Sequence, residues 1–191
     1  MIGPMRKEYA SLRRRPFLAP VWIFTFWAAV ALALAAWAVS AATTTVVVIT
    51  RHAEKEPDGT ADPPLSAAGL ERAARLAGIF GSGGPELGID AIFVTQWRRT
   101  AATARPLALQ LGVPVIAVPA DDLAALERRI AHDYRGRRVL VIAHNDSVPA
   151  LVKLLGQGVD VPALGADEYG TTYVVAIPRW SRPTVLRLSL P

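Results

Sequence analysis

Three short clusters in this 191-residue chain carry side chains suited to the same chemistry. The first is "TRHAEK", in which Arg51 and His52 follow the β-branched run Val46–Ile49 without a break. The second is "TQWRRT", with Thr95, Arg98 and Arg99 just past the apolar run Ala91–Val94. The third is "AHND", with His144 and Asp146 just past "RVLVIA", residues 138–143. Metal-free cleavage of a phosphate monoester requires a nucleophile, cations for the phosphoryl oxygens and a proton for the leaving group. Neutral imidazole supplies the nucleophile near its ordinary pKa of about 6.5. Arginine suits phosphoryl oxygens because its planar fork donates in pairs and never loses its charge. The chain has only three histidines, and two of them stand in these clusters. Together the residues describe an anion pocket with a nucleophile inside it. No His-Glu-x-x-His spacing occurs, and two arginines would repel a cation, so no metal is expected.

The elements between the clusters are those that would bring them together. Apolar runs alternate with helical periodicity. Strands are expected at Val46–Ile49, Ala91–Val94, Val113–Val118 and Arg138–Ala143, and helices at Ala67–Phe80, Arg99–Leu111, Leu123–His132 and Val148–Leu155. Ser66 could cap the first helix, with Pro63 and Pro64 just outside, and the second must tolerate Pro106. Two closing strands, "TTYVVAIP" and "TVLRLSL", complete the pattern. Continuous apolar strands alternating with helices describe an α/β fold, its largely parallel sheet covered on both faces. Ligands in such sheets bind beyond the carboxyl ends of the strands, where all three clusters fall.

The motifs, in order, resemble those of the histidine phosphatase superfamily, also called the phosphoglycerate mutase-like family. "TRHAEK" is similar to its Arg-His signature, and "DPPLSAAGLERAARLA" to the following "LS..G..QA..LA" segment. "TQWRRTAATA" is similar to "S...R...TA", which selects Arg99 over Arg98, and "VLVIAHNDSVPALVKLLG" resembles the segment carrying the second histidine. The resemblance covers residues 46–178. It implies a three-layer sandwich and, without any cofactor, a phosphohydrolase of the small phosphatase branch. His52 would form a phosphohistidine, and Arg51, Arg99 and His144 would bind the phosphoryl group. Thr95 stands for the usual Ser and Ala143 for the usual Gly. No glutamate of the mutase type is evident, so the proton donor is open among Asp146, Glu54, Asp121 and Asp122, with Asp146 first. Asp146 has a second reading as a helix cap. "EPDGT" (Glu56–Thr60) resembles the nucleophile loop of the haloacid dehalogenase phosphatases, but its first position is glutamate and no strand immediately precedes it. A catalytically inactive, membrane-anchored phosphate- or anion-binding module is the alternative reading.

Ahead of the domain, residues 1–42 carry Arg6, Lys7, Arg13, Arg14 and Arg15 against Glu8, while Pro16 to Thr50 holds no charge. The 23 residues Phe17–Val39 would make a helix of about 34 Å, enough for a hydrocarbon core of about 30 Å. Trp22, Trp27 and Trp37 suit the interfaces. The expectation is a cytoplasmic basic tail and a transmembrane anchor or signal segment in residues 1–42, then a domain from 43 to 191 outside the cytoplasm, on the periplasmic side. "AVSAA" leaves cleavage, and a secreted domain, open. From residue 43 on, basic and acidic residues nearly balance, which argues against nucleic acid. The expected partners are the membrane and a phosphorylated small molecule or envelope glycan. The chain has no cysteine, hence no disulfide or thiolate site. His132 is expected at the surface. Arg135, Arg137 and Arg138 read as a solvated cluster with anionic-lipid contact as a second role.

Overall fold

The computed structural model describes residues 18–83 and 88–190. The basic tail and Phe17 lie outside the described residues. The chain divides into two units, Met1–Ala41 and Ala42–Pro191. In the first, α1 (Leu18–Ala42) is apolar on every side and free of charge. Its stretch Val21–Ser40 is long and apolar enough to cross a membrane, and none of it is buried within the protein.

The second unit is a six-stranded mixed sheet with the order β3-β2-β4-β1-β5-β6. Its strands are β1 (Thr45–Arg51), β2 (Ala91–Val94), β3 (Val115–Ala117), β4 (Arg138–Ala143), β5 (Thr171–Ile177) and β6 (Thr184–Ser189). The first four run parallel; β5 is antiparallel to both β1 and β6. Helices α2 (Ala67–Gly81), α3 (Arg98–Leu111), α4 (Leu123–Asp133) and α5 (Ser147–Leu155) connect them. Because side chains alternate along a strand, Val47 and Ile49 share one face with Phe93, Val139, Val141 and Tyr173, under α4 and α5. Val48, Ile92, Val94, Leu140 and Ile142 share the other face with Ala77 of α2 and Leu107 of α3. Three layers result. Each fully buried aliphatic side chain contributes roughly 1.5–3 kcal/mol.

Most boundaries shift by one or two residues from the expectation, β1 running on to Arg51; two of the shifts bear comment. β3 is shorter than Val113–Val118 because it is an edge strand, paired only with β2 and half exposed. The second helix starts at Arg98, on an N-cap, Trp97, that makes no side-chain capping bond. Pro106 is accommodated within that helix.

The "LS..G" segment has a mechanical reading. Ser66 caps α2, its hydroxyl accepting from the Gly69 amide at 3.2 Å, while its own amide donates to the Glu54 carbonyl at 3.0 Å. At Gly69 a β-carbon would meet that same carbonyl oxygen at 2.1 Å. The absence of a side chain there lets the first turn of α2 lie directly on the loop that follows His52.

Candidate active site

In-register parallel pairing builds the site. Arg51 pairs with Ala143 at the ends of β1 and β4. The His52 amide then extends the ladder, donating to the Ala143 carbonyl at 3.0 Å. His52 and His144 therefore leave the sheet side by side, with ring centroids 5.3 Å apart and ring planes inclined at 62°. β2 ends one strand away and delivers Thr95, while the first turn of α3 delivers Arg99. Arg51, His52, Arg99 and His144 line one cavity of about 280 Å³, with Asp146 at its rim.

Each of these side chains is held by named partners. The Nδ1–H of His52 donates to the Ala53 carbonyl at 2.7 Å, since a carbonyl only accepts. The lone pair is left on Nε2. The Ala53 amide donates to the Thr103 hydroxyl, which donates to the Arg99 carbonyl at 2.8 Å. Thr103 thereby ties the loop after His52 to the helix carrying Arg99. The hydroxyl of Thr100 donates to the Trp97 carbonyl at 2.7 Å and lies 3.1 Å from Thr95 Oγ1. Thr95 is then the donor to Thr100 and the acceptor from His144 Nε2–H, at 3.0 Å. That chain fixes the tautomer of His144 and leaves its Nδ1 for the cavity.

The arginines are gripped from behind. Arg51 donates from Nη1 to the carbonyls of Gly165 and Glu168, at 2.9 and 3.2 Å, and its guanidinium lies 4.1 Å from the centre of the Tyr169 ring. Arg99 donates to Asp62 at 3.3 Å and lies over Trp97. The Nε of each arginine is buried and without a partner among the described residues. Buried donors of this kind normally find acceptors, and an oxyanion between the two would supply them.

Burial shapes the charge. His52, 4 % exposed, has its pKa pushed down to about 4, chiefly by burial; the Ala53 hydrogen bond opposes this, and His144 and both arginines add to it. His144 is likewise lowered to about 4, by burial and then Arg99, against the opposing pull of Asp146. Both rings are uncharged at neutral pH, so His52 is a free base beside two permanent cations.

The other acids expected as proton donors are not at the cavity. Glu54 turns away to a two-oxygen pair with Arg72, at 2.8 and 3.0 Å. Asp122 caps α4 by accepting from the Ala125 amide, and Asp121 does not line the cavity. Asp146 stands at the rim and also accepts from the Ser147 amide at 2.7 Å, so both of its readings have a structural counterpart. His132 is exposed beside Asp133. Arg98 is exposed, but its amide and side chain are bonded to Asp62.

Sequence reasoning passed over residues 157–170, where no periodicity marks a site. There the Glu168 carboxylate accepts from the Gly165 amide, Thr171 and Arg187, which fixes the turn whose carbonyls hold Arg51. The one available signal was "DEYG", a charged and aromatic cluster immediately before a strand.

Residues 47–120 match the family model described as "Histidine phosphatase superfamily (branch 1)". Over that segment, which is less than half of its length, the chain is similar to the histidine phosphatase superfamily. It is a phosphatase of the histidine phosphatase type, and its fold is that of solved relatives. The native structure of mycobacterial glucosyl-3-phosphoglycerate phosphatase is similar at a TM-score of 0.61 and 17 % identity, over 78 % of this chain and all, 100 %, of that one. The protein histidine phosphatase SixA, complexed with tungstate, matches at 0.62 and 21 %, over 75 % of this chain and 96 % of SixA. YhfR of Bacillus stearothermophilus matches at 0.56 and 14 %, over 69 % and 90 %. No curated protein matches the sequence. At these identities the likeness to the structures is one of fold, and the histidine phosphatase domain spans nearly the whole of each.

Proposed function

We propose that this histidine phosphatase hydrolyses phosphate monoesters through a phosphohistidine on His52, with its domain facing outside the cytoplasm. Nε2 of His52 attacks phosphorus in line. The N–P bond forms as the P–O bond to the leaving alcohol breaks, and Asp146 gives the departing oxygen a proton. Water then attacks phosphorus and gives a proton to the Asp146 carboxylate, the N–P bond breaks, and inorganic phosphate leaves with the imidazole and the Asp146 carboxyl restored. Arg51 and Arg99 donate to the equatorial oxygens and stabilise their charge in a water-poor pocket, while the P–OH of the ester monoanion donates to the Nδ1 lone pair of His144. The observation that carries this reading is the neutral His52 ring set between two arginines whose buried Nε donors lack partners.

The rim of the cavity is open, which suits phosphates protruding from larger bodies, such as envelope glycans, sugar phosphates or nucleotides. Sidedness follows from the basic cluster Arg6–Arg15 ahead of α1 and the tendency of such clusters to remain cytoplasmic. Protease accessibility of the domain in spheroplasts tests it.

The chemical test uses the full chain in detergent with an aryl phosphate. Wild type should release phosphate and carry a base-stable, acid-labile phosphoryl label after rapid quenching, and His52→Ala should show neither. A folded wild type that saturates with phosphate but never labels would convert the reading to that of a binding module.

A further inference from the structure

The sheet has a second cavity of about 330 Å³ at the edge opposite His52, walled by Thr43, Glu127, Arg135, Leu154, Arg179 and Trp180. The described loops at this edge, residues 88–90, 134–137 and 178–183, together with Arg138 at the start of β4, contain five arginines and one acid, Asp90. From residue 43 onward the chain has sixteen basic residues against fifteen acidic ones, so the positive charge is concentrated here and the rest of the domain is net negative. Arg137 pairs with Asp90. Arg135, Arg179 and Arg182 are exposed and make no ion pair among the described residues; Glu127 is the one acid on the cavity wall. Between them Trp180 is 60 % exposed, with the Arg179 guanidinium 5.7 Å from its ring centre. An exposed indole flanked by unpaired arginines suits the boundary between headgroups and water, where an apolar body and a polar tip are both satisfied. The tether is short: Thr43, on the cavity wall, is the first residue after α1, and the three residues to Thr45 can extend about 11 Å at most.

We propose that this edge of the domain docks on anionic phospholipid headgroups, with Arg135 and Arg179 on lipid phosphate at the cavity, Arg182 beside them and Trp180 at headgroup depth. The proposal takes its geometry from the reading of α1 as a membrane anchor. Each arginine should contribute about fivefold to the partition onto an anionic surface.

The absence of cysteine allows a single reporter. The full chain carrying Ser181→Cys with a nitroxide, or Asp58→Cys on the catalytic edge as control, is mixed with vesicles of phosphatidylcholine or of an equal mixture with phosphatidylglycerol. Flotation and collision with a water-soluble nickel reagent are read together. Docking predicts flotation with both vesicles, a several-fold loss of collisions at position 181 on the anionic ones only, an unchanged control, and loss of the shielding in Arg135→Gln/Arg179→Gln/Arg182→Gln. Flotation on anionic vesicles alone, abolished in the triple variant, upholds the docking edge and overturns the anchor. Flotation on anionic vesicles alone that survives in the triple variant assigns binding to the basic tail and overturns docking. Equal collision at position 181 on both vesicles overturns docking and leaves the anchor standing; flotation with neither overturns both.

Discussion

At the scale of single residues, burial keeps two imidazoles uncharged beside two arginines. The unfolded chain binds protons to these rings near pH 6.5, whereas the folded chain resists protonation until about 4. The unfolded state therefore takes up more protons in that window, and acid drains stability. The contribution should be whole above about pH 6.5 and should fall progressively towards pH 4. Urea unfolding at pH 7 and pH 4.5 checks this; the drop should be smaller in His52→Asn/His144→Asn, which has no rings to protonate. For the same reason the acid limb of kcat/KM, corrected for ionisation of the substrate, should lie well below pH 6 if His52 is the nucleophile proposed above, because its ring stays deprotonated in the free enzyme. Glu168 belongs to this scale too. It touches no substrate position but fixes the turn that grips Arg51. Glu168→Ala should raise KM for phosphate esters severalfold at nearly unchanged Tm, and Glu168→Gln, which can still accept from the Gly165 amide, should recover part of the loss.

Between elements, two contacts decide whether His52 points correctly. Thr103 accepts from the Ala53 amide and donates to the Arg99 carbonyl. Thr103→Val keeps the shape but strands a buried amide, at a cost of about 1–3 kcal/mol, visible as a lower urea midpoint together with reduced turnover. Gly69→Ala would improve helix propensity by about 1 kcal/mol, yet its methyl would press on the Glu54 carbonyl. Overpacking of that kind costs typically 1–3 kcal/mol, so the variant should melt earlier than wild type. A variant that melts later would show that the loop yields. These contacts also explain what could be read from the chain unaided. Strands such as Val46–Ile49 and Arg138–Ala143, buried on both faces, announce themselves by continuous apolar residues rich in Val and Ile, and the polar side chains at their carboxyl ends mark the site. The resemblance picked Arg99 over Arg98, and geometry gives the reason: Arg99 reaches the cavity while Arg98 is spent on Asp62. The support of Arg51 by residues 165–169 was illegible, because carbonyl oxygens do the holding and every residue has one. Nor does local sequence reveal that Glu54, two residues from the nucleophile, is turned towards Arg72.

For the molecule as a whole, every buried apolar residue in the described core lies between Val47 and Val175. A chain of residues 43–191 should therefore fold alone, with one cooperative transition and the same Tm as the domain of the full chain in detergent. Calorimetry on both would show it, and a lower Tm for the short chain would mean that the N-terminal segment contributes to the fold. The strand order has a separate consequence, in time. β1 is the first strand made, yet its two neighbours, β4 (Arg138–Ala143) and β5 (Thr171–Ile177), are among the last. Pairings between such distant segments form slowly. An apolar strand waits with both edges open while most of the domain is synthesised, the condition under which nascent chains stick to one another. The grip on Arg51 comes from residues 165–169, made after β4 and just before β5. On the proposed mechanism, a growing or truncated chain would carry His52 from the start but would lack the support of Arg51 and the second neighbour of β1 until residues 165–177 had emerged, so full activity would report that the late part of the domain has been made.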